Sequence, residues 1–143
     1  MTGEITLRCN ATALDVRHML DTLRAHLLNE PLPDDVCGNI EIAMAEALNN
    51  IVEHAYYPGS AGTIMLTVRI GPSRVSCEVR DHGVALPGLG PLSGLPPDVS
   101  GLRASLPEGG FGWSLIHALT ARLCYLRDGA ENRLVLDFDR GTP

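Results

Sequence analysis

The sequence predicts an α/β two-layer sandwich in which a mixed, mainly antiparallel sheet carries its helices on one face. Strand-like and helix-like segments follow the order β-α-α-β-β-loop-α-β-β, and four of the five strands come in adjacent pairs that short turns can join. The chain has 143 residues, which is the size of one domain. We therefore expect one domain over 1–143, built around one hydrophobic core.

The first part of the chain predicts a strand and a long helix. Residues 4–9 alternate polar and apolar side chains, as a strand does. Residues 13–29 carry apolar side chains at helical spacing, after a cap at Thr12 or Asn10. The apolar residues of this helix are Leu14, Met19, Leu20, Leu23, Leu27 and Leu28.

The second part predicts another helix, two hairpins and a long loop. A helix capped by Asp34 or Asp35 is expected to run to about Tyr56, before Pro58-Gly59. Residues 82–110 contain seven glycines and five prolines, and a loop of this length inside a domain is usually a functional lid or disordered. The other elements are an antiparallel strand pair at 62–70 and 73–81, a helix from about Gly110, and closing strands at 121–128 and 132–139 around Gly129-Ala130.

Charge and composition exclude several classes of protein. The net charge is −6, and all eleven basic residues are arginine. Without lysine there is no P-loop lysine, no protein-kinase strand lysine and no Schiff base. Scattered arginines on an acidic chain do not form a basic stripe, so we expect no nucleic-acid partner. A phosphate group would have to be bound by backbone amides, a metal ion or arginine.

We expect a cytoplasmic protein with no membrane association. The first ten residues lack the apolar segment of a signal peptide, and no apolar run approaches the roughly 20 residues of a membrane span. The four cysteines (Cys9, Cys37, Cys77 and Cys124) stand far apart without a metal-binding spacing, and we interpret them as reduced core residues.

The second helix has an unusual polar face. Glu46, Asn49, Asn50, Glu53 and His54 fall within roughly 140° of a helical wheel, while the other positions of residues 44–55 are apolar. Most such faces are simply solvated. Two amides and two carboxylates without lysine or arginine nevertheless suit an oxygen-ligand site, since Glu46 and Asn50 project together from neighbouring turns.

Two further segments could complete a site. A strand delivers Asp81 to its end, and Gly83 permits a close turn that keeps the carboxylate accessible. Glycines at 109, 110 and 112 precede an apolar helix, so its first amides are open to an anion. Each motif alone is commonly only structural.

Together, "EALNNIVEHAY", "DHGVALP" and "EGGFGWSLI" resemble the N, G1 and G2 boxes of the GHKL ATPase superfamily. The Glu-x-x-x-Asn spacing, the following His-Ala-Tyr and the short chain are most similar to the anti-sigma factor serine/threonine kinases, also called switch-protein kinases. The resemblance spans residues 4–138 and implies a Bergerat-type sandwich that binds ATP, with a lid at about 88–108.

The resemblance also implies roles for individual residues. Asn50 would ligate Mg²⁺, and Glu46 would be the general base that accepts the proton of an attacking Ser or Thr hydroxyl. Asp81 would accept a hydrogen bond from the adenine amino group, with Gly83 giving the ring room. The backbone amides of Gly110 and Gly112 would contact the phosphates.

Three positions depart from the family pattern. Ala85 stands where many relatives have a second glycine, and Glu108-Gly109 stand where close relatives often have an arginine, which leaves Arg103 as the nearest candidate for sensing the γ-phosphate. The final strand offers no Thr or Ser hydroxyl to join the adenine-binding carboxylate through water.

The resemblance implies a protein kinase that transfers phosphate from Mg-ATP to a STAS-domain anti-anti-sigma protein. Such kinases sequester a sigma factor or analogous regulator and usually work as homodimers. The alternative is a nucleotide-gated binding module that sequesters a partner without phosphotransfer. A two-component histidine kinase is disfavoured because no acceptor motif surrounds His18, and a metal-dependent hydrolase using Glu46 and His54 lacks a third strong ligand.

Overall fold

The computed structural model of the chain describes residues 3–56, 62–85 and 110–141. Its elements follow the predicted order. The strands are β1 (Gly3–Asn10), β2 (Thr63–Ile70), β3 (Arg74–Asp81), β4 (Arg122–Asp128) and β5 (Glu131–Asp139), and the helices are α1 (Ala13–Leu28), α2 (Asp34–His54) and α3 (Gly110–Leu119). The predicted lid at about 88–108 and Arg103 lie outside the described residues.

The strands form one five-stranded sheet in the order β1-β2-β3-β5-β4, and each of these four pairs is antiparallel. Alternate strand residues are buried, and they share one core with the buried faces of the three helices. The predicted sandwich is therefore confirmed. In this order β3 pairs with β5 and not with β4, so the ends of two strands distant in sequence become neighbours.

Helix α1 begins with the predicted cap at Thr12, whose Oγ1 accepts a hydrogen bond from the Asp15 amide at 3.1 Å. Its buried stripe consists of Val16, Met19, Leu23 and Leu27. Leu14 and Leu28, which were expected on this face, are 61% and 62% exposed. They lie about 160° and about 120° around the helix from Val16, so they point away from the sheet.

The expected cap of α2 was wrong. The N-cap is Pro33, with φ −59° and ψ 149°, and it makes no side-chain capping bond. Asp34 and Asp35 already lie in the first turn, where carboxylates favour the helix dipole. The Asp35 carboxylate accepts a hydrogen bond from the adjacent Val36 amide at 3.0 Å. A proline suits this position since its fixed φ allows the extended backbone of a cap residue.

The cysteines are all free, which agrees with the interpretation of reduced thiols. Cys37 and Cys77 are buried and Cys9 and Cys124 are half-buried. Burial raises the pKa of the Cys77 thiol to about 12 and that of Cys9 to about 11. Thiols with such pKa values hold their protons at neutral pH and are poor nucleophiles. Among the helices that the structure describes, none has the length and apolar character needed to cross a membrane.

Candidate functional site

Asp81 is the last residue of β3, and its side chain is almost completely buried, at 1% exposure. Its Oδ1 accepts two hydrogen bonds of 2.8 Å, one from the Gly83 amide and one from the side-chain amide of Asn132. Across residues 3–56, 62–85 and 110–141, nothing donates to its other oxygen, Oδ2. Within these ranges the protein therefore holds the carboxylate through Oδ1 only.

The environment of Asp81 balances two opposing effects. Burial raises the pKa of its carboxyl group, while the hydrogen bonds from Asn132 and Gly83 and the charges of Arg127 and His82 lower it. The net direction is upward. A buried carboxylate is costly unless it is hydrogen-bonded, so a ligand that brings an N–H donor to Oδ2 would relieve this cost.

Asn132 is a site residue that the sequence analysis missed. It is completely buried and lies directly opposite Asp81 in the β3–β5 register. Its Nδ2 donates to Asp81 Oδ1 and to the Val84 carbonyl, at 2.8 and 2.7 Å. Its Oδ1 accepts from the Tyr125 hydroxyl at 2.6 Å and from Arg127 Nη1 at 2.9 Å. The final strand, β5, therefore does offer a hydrogen-bond donor to Asp81: the side-chain amide of Asn132, which binds the carboxylate without a bridging water.

Gly83 brings the end of β3 against the C-terminal end of α2. A Cβ at this position would lie 2.1 Å from the Ala55 carbonyl oxygen and 2.7 Å from the Ala55 Cβ. The same carbonyl accepts a hydrogen bond from the Val84 amide at 2.7 Å. The space left by the missing Cβ is therefore filled by Ala55, which explains why small residues occur at both positions; that Gly83 gives an adenine ring room stays a prediction.

Tyr56 ties the same corner together. Its hydroxyl donates to the Thr63 carbonyl and accepts from the His82 amide, both at 2.8 Å. Its ring lies where a Cβ of Gly62 would be, at 2.5 Å. The Ala-Tyr sequence that follows the polar face of α2 thus has a structural explanation, because Ala55 and Tyr56 join the end of α2 to the start of β2 and the end of β3.

The polar face of α2 divides into buried and exposed parts. Asn50 is buried, with 8% exposure, and its Nδ2 is a fully buried atom without a hydrogen-bond partner within the described ranges. Glu46 is half-buried one turn earlier, whereas Asn49 and Glu53 are exposed. A buried amide without a partner is rare in proteins, so Asn50 is the residue of this face best suited to contact a ligand. Glu46 lies one turn before it and the half-buried His54 one turn after it, with His54 Nε2 3.6 Å from Glu53 Oε2.

The third predicted segment forms the start of α3. The helix begins at Gly110, so Gly110 and Gly112 lie in its first turn, where backbone N–H groups have no partner within the helix. Trp113 and Ile116 are buried and join the core that α2 also enters. The first turn of α3 therefore has amides without a partner inside the helix, the type of group with which a helix N-terminus binds anions.

The structure brings the α2 and β3 parts of the predicted site to one end of the core. Ala55 contacts Gly83, and Asn50 precedes Ala55 by five residues, which is about 7.5 Å along the helix axis. Within the described part of the chain, no three His, Cys, Asp or Glu side chains come together as a metal site. A cation beside Asn50 would therefore take most of its ligands from a bound substrate and from water.

Comparisons with known proteins agree with this geometry. Residues 9–138 match the model of the histidine kinase-like ATPase domain. A serine/threonine-protein kinase, BtrW, from Bordetella bronchiseptica is 33% identical over 131 residues, which are 92% of this chain and 90% of that protein. The serine-protein kinase RsbW from Halalkalibacterium halodurans is 37% identical over 60% of this chain and 52% of its own length.

A solved structure shows the same fold. The crystal structure of the RsbU and RsbW domains of a Mycobacterium tuberculosis protein superposes with a TM-score of 0.67 at 17% identity, over 99% of this chain and 33% of that one. The sequence match extends over most of the present chain and includes α2, β3, α3 and β5, the elements that build the site. The chain therefore belongs to the family of histidine kinase-like ATPase domains.

Proposed function

We propose that the protein is an ATP-dependent serine/threonine kinase of the anti-sigma type, which phosphorylates a STAS-domain antagonist and sequesters a sigma factor or similar regulator. The observation that carries the nucleotide site is Asp81, a buried carboxylate whose Oδ1 accepts two hydrogen bonds and whose Oδ2 has no donor among the described residues. The kinase names of the relatives that match at 33% and 37% identity support the reaction. We expect a homodimer, as in the family that the sequence resembles.

In this proposal the purine end of ATP lies at Asp81. An ionised carboxylate only accepts hydrogen bonds, so Asp81 Oδ2 would accept a hydrogen bond from a donor such as the amino group of adenine. Gly110 and Gly112 would offer the first-turn amides of α3 to the phosphates, and such backbone donors need no lysine, which the chain lacks.

Asn50 fits a role in binding Mg²⁺. Its amide oxygen is a hard donor of the type that Mg²⁺ prefers, and its Nδ2, which is buried without a partner among the described residues, could donate to a phosphate oxygen beside the ion. When bound, the ion would neutralise charge on the phosphates. One protein ligand is sufficient for such an ion, because Mg²⁺ sites at nucleotides use substrate phosphates and water for the rest.

Glu46 is proposed as the general base. It lies four residues before Asn50 on α2, so the two side chains share a face of the helix. The Glu46 carboxylate would take the proton of the substrate hydroxyl as that oxygen bonds to the γ-phosphorus. The bond from the γ-phosphorus to the β–γ bridging oxygen breaks, and its electron pair leaves with ADP.

A single-turnover assay with γ-labelled ATP and a STAS-domain antagonist tests the proposal. The wild type should label the antagonist, and Glu46→Gln should bind ATP yet slow the transfer by about 100-fold or more, as loss of a general base does. Glu41→Gln is the matched control, since Glu41 lies earlier on α2 and pairs with Arg24 at 3.7 Å. Undiminished labelling by Glu46→Gln would remove Glu46 as the base.

Binding must be measured separately from transfer. Asp81→Asn should weaken ADP binding by about tenfold to 100-fold, the value of a hydrogen bond to a charged group. A protein that binds ATP and its partner but transfers no label to the partner would be a nucleotide-gated binding module. A protein that binds no nucleotide at all would contradict both alternatives.

A further inference from the structure

The side-chain amide of Asn132 can adopt only one orientation. Its Oδ1 faces Arg127 Nη1 at 2.9 Å, and a guanidinium group only donates hydrogen bonds. Its Nδ2 faces the Asp81 carboxylate and the Val84 carbonyl, which only accept. A flipped amide would set donor against donor and oxygen against oxygen, in a completely buried position.

Arg127 fixes more than the amide. The same Nη1 that contacts Asn132 also donates to the Gly83 carbonyl at 2.8 Å, while the Gly83 amide donates to Asp81. Tyr125 supplies the second donor to Asn132 Oδ1, at 2.6 Å. Asn132 and the turn after β3 are therefore held by one connected set of hydrogen bonds from β4.

This arrangement determines the chemistry that Asp81 presents. Its Oδ1 receives two donors and is fully used, so a ligand can reach only Oδ2. With Asn132 held as a donor, no proton is needed between the two side chains, and the carboxylate remains an acceptor. An acceptor suits the 6-amino group of adenine and repels the 6-oxo group of hypoxanthine or guanine.

We propose that Asn132, oriented by Tyr125 and Arg127, is a positioning residue that holds Asp81 as an acceptor and thereby makes the site select 6-amino purines over 6-oxo purines. The inference rests on the proposed function, because it places a purine nucleotide at Asp81. A direct amide contact from β5 here performs the task for which the family pattern uses a hydroxyl and water.

The test is the ratio of the Kd for IDP to the Kd for ADP, measured by calorimetry with Mg²⁺ on the full chain. Asn132→Asp keeps the shape but places two carboxyl groups together, and one of them must then hold a proton. When the proton lies on Asp81, the site can donate to a 6-oxo group. We expect the ratio to fall by about tenfold or more, the effect of about 1.4 kcal/mol.

A second variant keeps Asn132 and changes its support. Arg127→Leu removes one of the two donors that hold Asn132 Oδ1, together with a positive charge that lowers the pKa of the Asp81 carboxyl group, so the protonated carboxyl, which can donate to a 6-oxo group, is more populated. The ratio should therefore fall by about threefold to tenfold. Arg122→Leu is the matched control on the same strand, since Arg122 is exposed and paired with Asp137 in the register. Its ratio should equal that of the wild type.

The outcomes separate the inference from the proposed function. A wild type that binds neither ADP nor ATP overturns both. A wild type that binds ADP, together with a folded Asn132→Asp protein whose ratio is unchanged, overturns the inference and leaves the proposed function standing. Where Asn132→Asp does not fold, Arg127→Leu decides alone, because a purely structural role would weaken ADP and IDP binding equally and leave their ratio constant.

Discussion

At the scale of single residues, the buried carboxylate of Asp81, which the proposed function requires, lowers the stability of the folded protein at neutral pH. Burial raises the pKa of its carboxyl group above the ordinary value of 3.8, so the folded protein holds this proton more tightly than the unfolded chain does. Between the unfolded and the raised folded pKa the native state binds more protons. The free energy of unfolding therefore falls as pH rises through that window, and the loss persists at neutral pH.

The variant Asp81→Asn should remove this contribution. The melting temperature of the variant minus that of the wild type should be larger at pH 7 than at pH 4, because the amide carries no charge at either pH whereas the buried carboxylate of the wild type does at pH 7. Circular dichroism melts at several pH values would measure the difference, with Asp128→Asn as an exposed carboxylate control. A difference that stays constant with pH would contradict the raised pKa.

A second prediction at this scale concerns Gly83. An alanine there would put its Cβ 2.1 Å from the Ala55 carbonyl oxygen, so backbone must shift. We expect Gly83→Ala to lower the free energy of unfolding by about 1–3 kcal/mol, as overpacking does. Urea unfolding would measure it. A neutral substitution would show that the approach of β3 to α2 is not tight.

Much of the site could be predicted residue by residue, but Asn132 could not. Asp81 and Gly83 stand out in sequence because a turn follows a strand, and Asn50 because it is an amide within a helix. Asn132 and Asp81 are 51 positions apart. Their contact exists only because β5, and not β4, pairs with β3, and local patterns do not specify that pairing. A polar residue at an inward-facing strand position was the available signal.

At the scale of elements, all three helices were predicted, and what differed were the helix ends and the exposure of Leu14 and Leu28 in α1. The start of α2 shows why. Asp34 and Asp35 have the composition of caps, but Pro33 takes the cap position, and the carboxylates act through the first turn. Capping depends on the backbone angles of one residue, which sequence composition leaves undetermined.

Helix α2 contains a glycine that structure does not require. A Cβ at Gly38 would meet nothing within 4 Å. Gly38→Ala should therefore raise the free energy of unfolding by about 0.5–1 kcal/mol, because alanine loses less backbone entropy in a helix. Urea unfolding would measure this change as well. Because the free energy of unfolding should rise in Gly38→Ala and fall in Gly83→Ala, each variant is the control for the other. A loss of stability at Gly38 would indicate an unrecognised contact.

At the scale of the whole molecule, nucleotide binding should stabilise the fold. Ligand at 100 times its Kd adds about 2.7 kcal/mol, which for a chain of this size is a rise in melting temperature of about 5–10 °C. With Mg-ADP the wild type should show this rise and lose part of it in EDTA. The melting temperature of Asn50→Ala with Mg-ADP should be the same with and without EDTA. Asn49→Ala changes the exposed residue directly before Asn50 and should behave as the wild type. A persistent EDTA effect in Asn50→Ala would exclude Asn50 as the metal ligand.

The corner where α2 meets the sheet has a consequence for how a nucleotide would be received. The Ala55 carbonyl, the Tyr56 hydroxyl and the Arg127 guanidinium each bind the turn that follows Asp81. The groups that would meet the base are thus preorganised before any ligand arrives, and little conformational entropy remains to be lost there. Adenosine without phosphates should consequently retain a measurable share of the affinity of ADP.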